Sequence, residues 1–314
     1  MNWGEKRYYS LDWYLKNTFG EKVYKIALDG GMTCPNRDGT LGSRGCIFCS
    51  AGGSGDFAAK RQENVTKQID SAIAGIQRTK KTGDKFIAYF QSYTNTYAPV
   101  SYLEPLFTEA ISHPSIAALS IATRPDCMDE EILALLKKLS QIKPVWVELG
   151  LQSCHDKTAE FIRRGYPLAV FEKAVQELTA ISIPVITHVI LGLPHETRED
   201  VFSTIRYLNH LPIQGVKLQL LHVLKDTDLA GLLGTFPILS MEEYVSLVIE
   251  CLELLSPETV VHRITGDGPR ILLLAPEWSK SKKTVMNRIN QTLKERDTWQ
   301  GRLYTPPKEG DYYV

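Results

Sequence analysis

The stretch Cys34-Pro-Asn-Arg-Asp-Gly-Thr-Leu-Gly-Ser-Arg-Gly-Cys46-Ile-Phe-Cys49-Ser50 places three cysteines in one glycine-rich loop. Thiolates are soft ligands that suit zinc, Cu(I) and the iron of iron–sulfur clusters. A [4Fe–4S] cluster is usually held by four of them. No fourth Cys or His stands between Lys22 and Asn64. Cys34, Cys46 and Cys49 would therefore leave one iron open to another molecule. A structural zinc ion asks for four closed protein ligands, so the local set suits it less well. Disulfide or buried cysteines are out of place in a loop of Gly, Pro, Asn and Asp in a reducing compartment.

Outward from the loop, strands and helices alternate. Val23 to Leu28 alternates apolar and polar residues and ends at Asp29-Gly30-Gly31, which predicts a strand. Apolar residues at helical spacing follow from Gln62 to Thr79. Strands are then expected at Phe86–Gln91, Ala118–Thr123, Val145–Leu151, Val185–Leu191 and Val216–Leu221. Helices separate them, with start signals at Asp129, Thr197 and Ser240. Such alternation means parallel βαβ units. Six units suggest an incomplete (β/α)6 barrel, since eight would close a full one. A doubly wound sheet is the second choice. Val260 to Ile264 could add a seventh strand, ending at Thr265-Gly266-Asp267.

The chain has 314 residues, is 43% hydrophobic and carries no formal net charge. It is long enough to bury a full core, and its overall charge favours no polyanion. The first residues lack the apolar core of a signal peptide, and no apolar run reaches membrane-spanning length. The expectation is a cytoplasmic protein with no membrane partner. Residues 1–21 read as a leader in which Ser10 caps a short helix that Gly20 stops. Its aromatics (Trp3, Tyr8, Tyr9, Trp13, Tyr14) either pack on the main domain, residues 22–256, or offer bases a stacking surface. Residues 257–314 form a basic extension with Lys280, Lys282, Lys283, Arg288, Lys294, Arg296 and Arg302. It reads either as a phosphate-backbone footprint or as a solvated helix face.

In parallel β/α folds, ligands gather at the C-terminal ends of the strands. Polar residues recur there: Asp29, Gln91-Ser92, Thr123-Arg124, Gln152-Ser153, His188, Gln219 and His222. The cysteine loop resembles that of radical S-adenosylmethionine (SAM) enzymes, in which three cysteines hold a [4Fe–4S] cluster and SAM chelates the fourth iron. The common family spacing is Cys-x3-Cys-x2-Cys. This chain keeps Cys46-Ile47-Phe48-Cys49 but has eleven residues after Cys34, a long gap also found in elongator-type members. Leu28-Asp-Gly-Gly-Met-Thr-Cys34-Pro-Asn-Arg-Asp-Gly-Thr40 and Gly45 to Ser50 resemble the bacterial YtqA/YhcC subfamily over nearly the whole chain.

The resemblance implies a partial radical SAM barrel binding a [4Fe–4S] cluster and SAM. It implies cluster ligation by Cys34, Cys46 and Cys49, and shielding by Phe48. SAM contacts are implied for Gln91, Ser92, Thr123, Gln152 and Ser153. The usual Gly-Gly-Glu is absent at Gln91–Tyr93. Arg164 is a candidate for SAM's carboxylate or a surface charge. His188 is a contact to SAM or substrate, or a satisfied core histidine. Lys217, Gln219 and His222 could face adenine or substrate, and Lys280, Lys282 and Lys283 the nucleic acid. By the same resemblance the function is tRNA modification, converting the 5-carboxymethylaminomethyl group of the wobble uridine to 5-aminomethyl. A one-electron donor such as flavodoxin or ferredoxin would drive it. The alternatives are a radical SAM enzyme for a small molecule or protein, and a zinc-stabilised RNA-binding module without catalysis.

Overall fold

The computed structural model describes residues 3–53, 55–56, 58–266 and 268–308. In chain order the elements are α1 (Leu11–Phe19), β1 (Tyr24–Leu28), α2 (Val65–Gln77), β2 (Phe86–Phe90), α3 (Val100–Ser112), β3 (Ile116–Thr123) and α4 (Glu130–Ser140). Then come β4 (Val145–Gln152), α5 (Asp156–Phe161), α6 (Leu168–Ala180), β5 (Val185–Leu191), α7 (Arg198–Leu208), β6 (Gly215–Leu220) and β7 (Val223–Leu224). The last four are α8 (Met241–Leu254), β8 (Val260–Arg263), β9 (Leu273–Ala275) and α9 (Lys282–Glu295). The expected start signals Ser10, Asp129, Thr197 and Ser240 act as caps, and Asn64 is a further one. Ser10, Asn64, Asp129, Thr197 and Ser240 each accept a backbone N–H of the first turn, and Gly20 ends α1 in the left-handed conformation.

β1, β2, β3, β4, β5, β6 and β8 lie in that order in one all-parallel sheet. The sheet therefore has seven strands rather than six, because Val260–Arg263 pairs with β6. It curls into a half-barrel with helices outside, as the alternating units require. Outward residues such as Ile26, Phe90, Leu119 and Val147 form the main core with the helices. The inward residues form layers, as period-two side chains on tilted strands must. Leu15 of α1, Val23, Ile87, Ala118, Trp146 and Ile186 make an apolar floor. Above it stands a charged layer, and above that the strand ends carry polar side chains.

The leader covers the free edge of the sheet. The Val261 N–H donates to the Tyr9 carbonyl at 2.7 Å. Trp3 and Tyr8 are buried, and Tyr14 meets the floor residue Trp146 at 6.3 Å between ring centroids. Trp3 and Tyr8 are thus packing residues, while Tyr9, Trp13 and Tyr14 are half-buried. In the C-terminal region, α9 buries Val285, Ile289 and Leu293. Gln300 then ties leader and extension together. Its Nε2 donates to Ser256 and Thr259 carbonyls at 2.6 and 2.8 Å, and its Oε1 accepts the Tyr9 N–H at 2.8 Å. Gln300 is 1% exposed, so truncation strands three backbone groups. Gln300→Ala is expected to lower unfolding free energy by about 2–4 kcal/mol, read by urea denaturation; a loss within about 0.5 kcal/mol would show the clasp to be dispensable.

The basic stretch does not form one free face. Lys280 pairs with Glu277, Arg288 with Glu242 and Glu295, and Arg296 approaches Glu250. Among the described residues no helix is long and apolar enough to cross a membrane.

Candidate active site: three thiols over a charged lumen

The loop after β1 is built by its own backbone. Arg37 and Asp38 N–H groups return to the Cys34 carbonyl, Gly45 N–H donates to the Asn36 carbonyl at 2.7 Å, and Cys49 N–H to that of Cys46. Gly45 has φ +74°, and a Cβ there would lie 2.8 Å from Arg37 Nε; conformation and space both demand glycine. The Arg37 guanidinium donates to the carbonyls of Cys49 and Ser50. Asn36 donates through Nδ2 to the Arg163 carbonyl at 2.8 Å and to Cys46 Sγ at 3.5 Å. Ile47 sits in an apolar cluster with Ile162, Ile190, Leu221 and Val223, and Phe48 packs against it. The three thiols line one cavity of about 160 Å³. Hydrogen bonding from Cys49, against the cost of burial, brings the Cys46 thiol down to about 7, helped by Arg124, Asn36 and Arg37. Cys49, as donor to Cys46 and buried, is pushed up.

That cavity adjoins a larger one of about 490 Å³, and Phe48, Cys49, Gln91, Gln152, His188 and Gln219 line both. Thr123 lines the thiol cavity, with its hydroxyl 2.6 Å from that of Thr96. Gln152 has φ +67°, a left-handed conformation that costs a non-glycine residue about 1 kcal/mol or more. A shift of register between β4 and β5 accompanies it. Its Oε1 is buried without a hydrogen-bond partner among the described residues. A buried orphan acceptor at a strain point marks a place for a ligand's donor.

Several expected residues stand elsewhere. Ser92 and Ser153 are buried and line neither cavity; the Ser153 hydroxyl accepts the His155 N–H. Arg164 is neither free nor on the surface. It is 2% exposed, and donates to the carbonyls of Tyr166, Leu151 and Ser153 and to Asp156. Two of the guanidinium's five donors thus hold the end of β4 and two reach Tyr166 and Asp156, while the residue edges the thiol cavity. His222, Lys280 and Lys282 line the larger cavity, but Lys283 does not.

The charged layer was only partly foreseen. Glu148 is 1% exposed. Its Oε1 accepts from Lys25 Nζ at 2.5 Å and Ser120 at 2.7 Å. Its Oε2 accepts from His188 Nε2 at 2.7 Å and from Lys217 Nζ. Lys217 also donates to the Tyr89 hydroxyl at 3.0 Å. Burial raises the Glu148 pKa, but the ammonium groups of Lys217 and Lys25 and the His188 imidazole overcome this and hold it well below the usual carboxylate range. Burial brings Lys217 down to about 7, against the pull of Glu148. Burial and Lys217 bring His188 to about 4, so neutral His188 donates to Glu148. The signal was in the sequence: a carboxylate inside Val145-Trp-Val-Glu148-Leu cannot be buried alone, and Lys25, Tyr89, His188 and Lys217 share its inward parity.

His188 gives a pH signature. Its ordinary pKa is about 6.5 and the native value is about 4, so between them the unfolded chain binds a proton that the native one refuses. Stability must fall as pH drops through that window. In the cofactor-free protein, moving from about pH 7 to about pH 5 should cost the wild type about 2 kcal/mol more than His188→Gln, which still donates to Glu148 but cannot titrate. Equal urea-unfolding losses would refute a neutral buried His188.

Residues 39–208 match the family model of the radical SAM superfamily, and residues 213–295 that of the Radical_SAM C-terminal domain. The chain belongs to the radical SAM superfamily. It is 43% identical to YtqA of Bacillus subtilis (strain 168) over 96% of this chain and 94% of that protein. To YhcC of Escherichia coli (strain K12) it is 34% identical over 94% and 96%. The solved structure of the archaeal Methanocaldococcus infernus Elp3 shares the fold, with a TM-score of 0.68 at 17% identity over 88% of this chain and 64% of that one. Weaker relatives are the Elongator complex protein 3 of Schizosaccharomyces pombe, at 23% identity, and a tRNA-2-methylthio-N(6)-dimethylallyladenosine synthase of Herpetosiphon aurantiacus, at 24%. This chain spans 60% of each. Membership makes this a radical SAM enzyme with a [4Fe–4S] cluster and SAM as cofactors, and sets aside the non-catalytic zinc module. The site fits them: three soft donors edge one cavity, which Gln152, with its orphaned oxygen, also lines.

Proposed function

We propose that this radical SAM enzyme modifies tRNA, converting the 5-carboxymethylaminomethyl group of the wobble uridine to 5-aminomethyl. The observation that carries the reading is the cavity beside the thiols: Arg263, Arg270, Lys280 and Lys282 line it, with Asp56 as its one acidic side chain among the described residues. A polyanion with a reactive base suits such a mouth. Two weaker relatives have names that refer to tRNA or Elongator.

Cys34, Cys46 and Cys49 would hold the cluster, with Phe48 over it. Gln91, Thr123, Gln152 and His188 would line the SAM site. When bound and reduced by one electron from a flavodoxin- or ferredoxin-type donor, the cofactors supply a 5′-deoxyadenosyl radical that takes hydrogen from a substrate carbon. The protein's part is positioning. Clamped Ile47 and Phe48 fix the loop, the apolar floor keeps water out from below, and the Glu148 layer keeps the lumen side chains from moving. Nucleoside analysis of tRNA from a strain lacking the gene should show 5-aminomethyl derivatives lost and the carboxymethylaminomethyl nucleoside accumulated. An unchanged profile would sink the proposal.

A further inference from the structure

Arg263 ends β8 and its guanidinium lies in the lumen, where the thiol cavity, the larger cavity and a third, lateral cavity all reach it. Among the described residues its one hydrogen bond is a long one, 3.3 Å from Nη1 to Gln219 Oε1, and none of their carboxylates stands within ion-pair distance. Its charge helps to depress the pKa of His188 and Lys217, which places it beside the charged layer. There Lys25, Lys217 and Arg263 face one carboxylate, Glu148, whose oxygens are already shared among four donors. Among the described residues Lys25 and Arg263, with Lys217 brought down to about 7, outnumber that one carboxylate and leave the lumen short of negative charge. A largely enclosed cation without a counter-ion is costly, so the arrangement is one that an anionic ligand completes.

The rim separates two kinds of anion. Arg270, Lys280 and Lys282 line the larger cavity but not the thiol cavity, which suits phosphates that stay outside. Arg37, Arg124 and Arg164 also line the thiol cavity but are bonded to carbonyls or a carboxylate of the chain, whereas Arg263 is reached by both cavities and has a planar fork that matches a carboxylate in two parallel hydrogen bonds. It comes from the last strand of the sheet, whereas Thr123, Gln152 and His188 on the thiol side come from β3, β4 and β5. We infer that Arg263 is the receptor for the carboxylate of the substrate side chain, and so lets the enzyme tell the carboxymethylaminomethyl group from its aminomethyl product. The inference rests on the proposed function. SAM also carries a carboxylate, and the test separates the two sources.

The reconstituted enzyme with SAM would be titrated with three anticodon stem-loop RNAs of one sequence. They carry carboxymethylaminomethyl, its methyl ester, or aminomethyl at the wobble uridine, and binding is read by fluorescence anisotropy. The wild type is expected to bind the acid at least about tenfold tighter than the ester or the amine. Arg263→Gln should erase that preference, so that the acid, ester and amine RNAs bind with similar affinity, and Arg263→Lys should keep part of it. A wild type that binds acid and ester equally overturns the inference whatever the variants do. So does a preference that survives in Arg263→Gln, or an Arg263→Gln protein that loses SAM in equilibrium dialysis but keeps the preference. The proposed function has its own readout in the same samples: conversion of the acid RNA to the amine by the wild type. Conversion without Arg263-dependent preference rejects the receptor alone, and no conversion with no RNA binding rejects both.

Discussion

Cys46→Ala is expected to reduce 5′-deoxyadenosine formation to background after anaerobic reconstitution with iron and sulfide and addition of dithionite and SAM. The loss should exceed about a hundredfold, since removing a ligand costs more than removing a ligand's outer support, which alone costs ten- to a hundredfold. Cys46 is held by Asn36 Nδ2 and lies against the Arg163 carbonyl. Its lowered pKa leaves a large fraction as thiolate near neutral pH, the form that binds iron. Cys251, buried in α8 with its pKa pushed up by burial, is the control; Cys251→Ala should keep iron and activity. Activity retained in Cys46→Ala would remove this loop as the cluster site.

Glu148→Gln is expected to cost about 3–5 kcal/mol at neutral pH, because it leaves Lys25 and Lys217 enclosed without their counter-charge. Glu148 and Lys217 side chains are 0% and 4% exposed, so solvent screening gives little relief. The double variant Glu148→Gln/Lys217→Met should recover much of the loss, as coupled partners do in a double-mutant cycle. The sign with pH follows from the depressed carboxylate: the stabilisation is present above the ordinary glutamate range and fades as the pH falls below it. A single-variant loss below about 1 kcal/mol, or strictly additive effects, would mean that the charged layer does not hold the barrel together.

The sequence carried the strands because each is a short apolar run bounded by Gly, Pro or a cap, and the caps because Ser, Asp and Thr at those points satisfy orphan N–H groups. The three thiols were visible as a cluster of one residue type in one loop. The partners of Arg164 were hidden because a guanidinium after a strand looks the same whether it meets a ligand or three backbone carbonyls and a carboxylate; only coordinates tell which groups converge on it. Ser92 and Ser153 were taken for site residues because they follow strand ends, yet one residue of parity turns a side chain behind the wall. Arg263 was overlooked because, although Val260 to Ile264 was offered as a seventh strand, its polar end was placed beyond it, at Thr265-Gly266-Asp267. Lys217 was read as open to ligand, and its commitment to Glu148 spans 69 positions of sequence.

The clasp at Gln300 bears on how the chain is made. β8 is an edge strand, and an uncovered edge invites pairing with other chains. Its cover, the Tyr9 backbone, is synthesised first, but the glutamine that holds that cover is synthesised nearly 300 residues later. While translation proceeds, the barrel has an unsealed flank, and it stays unsealed until the last helix has left the ribosome. A stop codon a few residues before Gln300 would then yield a sticky, protease-sensitive polypeptide rather than a shorter enzyme.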